Sequence, residues 1–143
     1  VSGLYLDTSV LVAYYTPEVF SARADAVITG ATDRVVSPLC LSEANAALRA
    51  KVFNGTLSVP NAVAARDRMR EHYAGGFFRT VPIDDRVFDM AASIVWQLLV
   101  KLRTLDALHL VVAQSAGLHF ATADTRLRDA AKAANVLVVW AGA

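Results

Sequence analysis

The stretch Leu4-Tyr5-Leu6-Asp7-Thr8-Ser9-Val10-Leu11-Val12-Ala13-Tyr14-Tyr15 decides the fold. Its first three residues form a short apolar run of strand type, and from Ser9 to Tyr15 the apolar residues are spaced for a helix. An acid stands between the two. The same switch recurs along the chain. Val35–Ser37, Thr80–Ile83, Leu118–Thr122 and Val136–Trp140 read as further strands. Helical stretches fill the gaps, at Val19–Thr29, Leu39–Phe53, Asn61–Tyr73, Arg86–Leu99, Leu105–Ala116 and Thr125–Ala134. Strands alternating with helices predict an α/β fold, a three-layer α/β/α sandwich around a central parallel sheet of about five strands joined by right-handed crossovers.

Local punctuation agrees with these limits. Pro38 opens the third helix and Asn54-Gly55 stops it, while Pro60-Asn61 and Asp84-Asp85 mark two more starts. The most irregular segment is Ala74-Gly75-Gly76, and no repeat, linker or low-complexity tract divides the sequence. A single domain over residues 1–143 is expected.

The chain is 55% hydrophobic with a mean hydropathy of +0.40, more apolar surface than a small monomer readily hides, which favours a homodimer. No apolar run reaches the roughly 18 residues of a membrane span, and no basic stretch followed by an apolar segment opens the sequence, so a cytoplasmic location is expected. One cysteine, Cys40, excludes an internal disulfide and a cysteine-based metal site, and its apolar surroundings suggest a packed thiol.

Four acids lie among apolar neighbours: Asp7, Glu43, Asp106 and Asp124. A carboxylate in such a place costs several kcal/mol unless it is paired, hydrogen-bonded or bound to a cation. Each has a simpler explanation. Asp7 and Asp124 follow strands and precede helices, where an N-cap is ordinary. Asp106 follows Thr104, itself a possible cap, and a negative charge in a first turn suits the helix dipole. Glu43 gains nothing from the dipole in mid-helix, and it shares a stripe with Leu39, Ala46, Ala47 and Ala50.

Topology offers one cause for all four, because ligands of open parallel sheets bind beyond the carboxyl ends of the strands, where Asp7 and Asp124 fall. Carboxylates gathered there at ~4 Å would repel by roughly 4 kcal/mol per pair at an effective dielectric of about 20, so protons or divalent cations must neutralise them. Oxygen ligands suit Mg²⁺ or Mn²⁺. His72, His109 and His119 show no zinc spacing, and His109, three residues after Asp106, reads as a packing or hydrogen-bonding residue.

Four segments together carry a resemblance: YLDTSVLVAYY with Asp7, SEANAALR with Glu43, LRTLDALHLVVA with Asp106 and FATADTRLRDAA with Asp124. In order, spacing and surroundings they resemble a PIN-domain ribonuclease, specifically the VapC toxins of bacterial toxin–antitoxin pairs. The resemblance implies metal-dependent endonucleolytic cleavage of RNA, often tRNA or rRNA, by a homodimer neutralised by a cognate VapB-type antitoxin. It implies Mg²⁺ or Mn²⁺ bound by Asp7, Glu43, Asp106 and Asp124, with Ser9 and Thr122 as the polar residues beside them.

Removing four site carboxylates from a net charge of +1 leaves an excess of five positive charges elsewhere. Arg49, Lys51, Arg66, Arg68, Arg70, Lys101, Arg103, Arg126 and Arg128 are the candidates for phosphate contacts, each also readable as part of a solvated helix face. Tyr14-Tyr15 and Phe77-Phe78 suit packing against a partner better than base stacking. Phe88 and Trp96 are expected in the core or an interface. Two other readings remain open: a non-catalytic binding module of the same fold, and a phosphoacceptor receiver domain. The second fits poorly, since strand three ends in Pro82-Ile83 and the last strand carries no lysine.

Overall fold

The computed structural model describes residues 3–143. Strand β1 (Leu4–Leu6) leads into helix α1 (Thr8–Tyr15), followed by α2 (Ser21–Gly30), β2 (Arg34–Val36), α3 (Pro38–Phe53) and α4 (Val59–Ala74). The second half comprises β3 (Arg79–Thr80), α5 (Asp85–Gln97), α6 (Thr104–Ser115), β4 (His119–Thr122), α7 (Thr125–Ala133) and β5 (Val138–Trp140). The five strands are parallel, in the order β3-β2-β1-β4-β5. The expected α/β/α architecture is therefore present.

β1 is central, with Leu4 opposite Arg34 on one side and His119 on the other, and its three residues are buried on both faces. The chain first builds outward from β1 through β2 to β3, then returns to β1 and builds the other way through β4 and β5. This reversal falls between β1 and β4, the topological switch point, and sheets of this kind bind ligands beyond the carboxyl ends of the strands there. A receiver domain has a different order, 2-1-3-4-5, and this sheet excludes that reading.

Two clusters of buried side chains hold the layers. The larger joins the sheet residues Tyr5, Leu6, Val35, Val36 and Phe120 to the helices around them. The smaller packs Val12, Ala44, Leu48, Leu57, Ala62, Ala65 and Met69 between α1, α3 and α4. Small Ala side chains let α3 lie close to its neighbours, which brings Glu43 near the start of α1.

Several boundaries differ from those read in the sequence. β3 has only two residues, because Pro82 has no N–H for a ladder and the strand lies at the sheet edge. β5 starts at Val138, two residues later than expected. α4 begins at Val59, ahead of Pro60, because the Ser58 hydroxyl caps it through the Asn61 N–H. Thr104 does not cap α6; the cap position is Arg103, without a side-chain bond. The Asn54-Gly55 stop of α3 holds, Gly55 lying at φ +78°, a conformation that favours glycine.

No helix among the described residues is long and apolar enough to cross a membrane. Cys40 is a buried free thiol. Trp96 is 90% exposed and Phe88 is exposed as well, so neither belongs to the core of this chain.

Candidate metal centre

Asp7 is placed by the turn from β1 into α1. It is 2% exposed, and among the described residues its carboxylate is held by neutral donors only. Oδ1 accepts the Ser9 hydroxyl at 2.5 Å and the Val10 N–H at 3.2 Å, and Oδ2 accepts the Thr122 hydroxyl at 2.7 Å. Burial pushes the Asp7 carboxyl above the usual carboxylate range, and the Ser9 and Thr122 hydroxyls pull it only part of the way back.

Thr122 ends β4, next to β1. Its hydroxyl oxygen also accepts the Asp124 N–H at 3.0 Å, and the Ser9 hydroxyl oxygen accepts the Ala123 N–H at 3.1 Å. The two strand-to-helix junctions are thus stitched together by the polar residues singled out in the sequence. Asp124 caps α7, its Oδ1 accepting from the N–H groups of Arg126 at 2.8 Å and Leu127 at 3.4 Å. Both aspartates therefore do cap helices.

Glu43 reaches this edge from α3. Its Oε1 accepts the Thr8 hydroxyl at 2.8 Å and also meets Nε2 of His109. Burial alone would raise the Glu43 carboxyl, but His109 and Thr8 outweigh it and hold the group below its ordinary value. Burial likewise works to lower His109, and its contacts with Cys40 and Glu43 outweigh that, pushing the imidazole up to about 10. At neutral pH the two form an ion pair inside the protein. The other ring nitrogen, Nδ1, lies 2.7 Å from the Tyr5 hydroxyl, which lies 2.9 Å from that of Ser37.

Asp106 sits in the first turn of α6, largely buried, with Arg103 Nε donating to its Oδ2 at 3.2 Å. The four carboxylates are not drawn into a closed cage. Among the described residues, no three Asp, Glu, His or Cys side chains are arranged to hold a metal ion. The donor chemistry still fits a hard cation: every acid offers oxygen, and the buried charge of Asp7 has no full positive charge hydrogen-bonded to it.

Thr8, Tyr5 and the bond between His109 and Glu43 were not singled out in the sequence. Thr8 carried a weak signal as a hydroxyl next to Asp7. The contact of His109 with Glu43 spans 66 positions and that with Tyr5 spans 104, and no local pattern encodes them.

Several basic candidates are occupied within the molecule. Lys51 pairs with Glu18 at 2.7 Å, Arg66 with Asp67 at 3.1 Å, and Arg128 with Asp129 at 3.2 Å. Arg68 lies over Tyr14, the pairs Tyr14-Tyr15 and Phe77-Phe78 each meet edge-to-face, and Phe77 stacks on Tyr14 and His72, so the aromatic pairs pack within this chain.

The chain belongs to the PIN domain family, whose profile matches residues 4–133 and so takes in all four acids and four of the five strands of the 3-2-1-4-5 sheet. Among its relatives it is similar to Ribonuclease VapC46 of Mycobacterium tuberculosis, 32% identical over 141 residues covering 96% of this chain and 97% of the relative. Ribonuclease VapC35 of the same species is 34% identical over 149 residues, covering 97% of each.

Solved structures share the fold. FitAB bound to a DNA fragment superposes with a TM-score of 0.74 at 21% identity, covering 96% of this chain and 94% of that one. VapC20 of Mycobacterium tuberculosis, described as a sarcin-ricin loop cleaving toxin, gives 0.72 at 17% identity, covering 90% and 95%. VapBC2 from Rickettsia felis, bound to a fragment of its promoter, gives 0.66 at 10% identity, covering 96% and 97%.

Proposed function

We propose that this chain is a divalent-metal-dependent endoribonuclease, a single PIN-like domain acting in the cytoplasm as the toxin of a type II toxin–antitoxin pair. The observation that carries the proposal is Asp7, a carboxylate buried at the switch point with only hydroxyl and amide donors bonded to it. Its acids would hold Mg²⁺ or Mn²⁺: Asp7 and Asp106 as principal ligands, Asp124 as a ligand to the same or a second ion, and Glu43 as a ligand or as base for the attacking water. A bound divalent ion supplies a lowered pKa for water and positive charge against the developing charge on phosphate.

The chain's own residues supply the rest. Ser9 and Thr122 fix the Asp7 carboxylate, Thr8 and His109 fix Glu43, and no side chain needs to form a covalent intermediate. RNA is the substrate in keeping with the ribonuclease relatives, and tRNA or rRNA is the expected class. Lys101 and Arg126, exposed and close in sequence to Asp106 and Asp124, are suited to its phosphates. The exposed Trp96 and Leu99, at and just beyond the end of α5, support burial against a partner, either a second copy or a VapB-type antitoxin.

The caps made by Asp7 and Asp124 favour the second reading, a non-catalytic binding module. One experiment separates them. Purified protein free of antitoxin is expected to cut RNA with Mg²⁺ or Mn²⁺ and not with EDTA, and Asp106→Asn to reduce cutting to background with an unchanged circular dichroism spectrum. Equal cutting by the variant, or cutting in chelator, would refute the proposal.

A further inference from the structure

Resting on the ribonuclease reading, we infer that His109 is a positioning residue for Glu43: held from behind by Tyr5, it clamps one Glu43 oxygen and leaves the other to serve the reaction. Both bonds to Glu43 fall on Oε1, one from Thr8 Oγ1 at 2.8 Å and one from His109 Nε2. Among the described residues Oε2 takes no hydrogen bond. A glutamate has three side-chain torsions, and on an open rim it would sample many rotamers. Anchoring one oxygen from two sides removes most of that freedom and fixes where the second points.

The clamp is itself rigid. His109 is 2% exposed, so its ring turns only within a packed wall. Nδ1 lies 2.7 Å from the Tyr5 hydroxyl, and Tyr5 is fully buried in the central strand, its ring stacked on Phe120 with centroids 5.9 Å apart. The Tyr5 hydroxyl is held in turn by Ser37 Oγ at 2.9 Å. That contact explains why Ser37, at the cap position of α3, makes no side-chain cap bond: its hydroxyl serves Tyr5. The geometry of β1 is thereby transmitted through two buried rings to the carboxylate on α3. His109 also stands one turn after Asp106 on α6, so the helix that presents one acid fixes a second.

The test compares His109→Leu, which removes both ring contacts, with His109→Gln, whose terminal amide can still donate to Glu43, and with Tyr5→Phe, which loosens the ring from behind. His109→Leu is expected to lower kcat by about tenfold to a hundredfold with KM little changed, the usual cost of losing an outer-shell partner. His109→Gln should recover most of the rate, and Tyr5→Phe should fall between. In a Glu43→Ala background, His109→Leu should cost nothing further.

A readout without catalysis is the pair of imidazole ¹⁵N signals of His109 in metal-free protein, expected to shift in Glu43→Gln. Full activity in His109→Leu, an equal loss with and without Glu43, or ring signals indifferent to Glu43→Gln would each overturn the inference. Wild-type protein that cuts no RNA would refute the ribonuclease reading instead, and the clamp would then stand or fall on the ring signals.

Discussion

Replacing Asp7 by Asn should stabilise the metal-free protein while removing its activity. Burying a carboxylate costs several kcal/mol, and each hydrogen bond to a charged group returns about 1.5–3 kcal/mol. The three bonds to Asp7 all come from neutral donors, and the raised carboxyl pKa shows that burial outweighs them. Asn has nearly the same shape. Its Oδ1 keeps Ser9 and the Val10 N–H, and its amide faces the Thr122 oxygen, which still has a lone pair for the Asp124 N–H at 3.0 Å.

We expect Asp7→Asn to gain about 1–2 kcal/mol at pH 7 in EDTA, a rise in Tm of roughly 3–8 °C. The pH dependence follows from the sign of the shift. A carboxyl whose folded pKa is raised favours folding fully below its unfolded value of 3.8 and loses that contribution as pH climbs through the raised value. The advantage of Asn should therefore shrink as pH falls from the raised folded value towards 3.8, below which Asp7 is protonated in the folded and unfolded states alike. Mn²⁺ should reverse the order by stabilising the wild type alone. Calorimetry from pH 4 to 8, with chelator and with Mn²⁺, reads all three effects. A wild type that melts above Asp7→Asn in chelator across this range would show that the hydroxyls fully compensate the buried charge, and the reasoning would fail.

The ion pair of His109 and Glu43 gives a second pH signature. The raised His109 pKa adds stability that is complete below 6.5 and lost as pH rises through about 10, whereas the lowered Glu43 pKa adds stability present above 4.5 and lost as pH falls through its lower value. The difference in Tm between wild type and His109→Gln should therefore narrow between about pH 7 and 10.5, and a constant difference would contradict the ion pair. As a test of a second copy docking at the exposed end of α5, wild type should scatter as a dimer and Trp96→Ser combined with Leu99→Ser as the 15.3 kDa monomer. A monomeric wild type, or a dimer mass unchanged in the variant, would refute docking of a second copy at this surface.

The sequence disclosed the sheet because its signals are local. Leu4–Leu6 is a short apolar run, and a helix period starts within three positions, so a buried strand was readable from the twelve residues Leu4–Tyr15. The pairing of β1 with β4 was not, since strands 115 positions apart carry no mark of adjacency; nor, therefore, was the bond from Thr122 to Asp7. β3 was overestimated because Thr80–Ile83 has strand-like side chains, while the lack of an N–H at Pro82 acts on the ladder and not on the pattern. Trp96 was expected in the core or an interface, and the structure excludes only the core of this chain. An exposed indole is costly enough that burial is the natural expectation, and only the observed face of α5 shows that the chain alone does not provide it.

Capping and catalysis looked like rival explanations of the acids, and the geometry makes them compatible. Asp124 uses Oδ1 for both of its cap bonds, Glu43 uses Oε1 for both of its anchors, and Asp106 meets Arg103 through Oδ2. Among the described residues, the second oxygen of each takes no hydrogen bond. Asp7 is the exception, engaged at both oxygens, yet its three bonds leave part of a carboxylate's four lone-pair sites unused. One oxygen of Asp124, Glu43 and Asp106 is thus held by the fold while the other takes no hydrogen bond among the described residues. The bonds that align the acids are the same bonds that start helices α1 and α7, so the local structure needed for folding also orients the donors needed for a cation. Such a site requires little additional machinery, because a chain that folds correctly at the β1 and β4 junctions has already oriented Asp7 and Asp124, two of the proposed ligands.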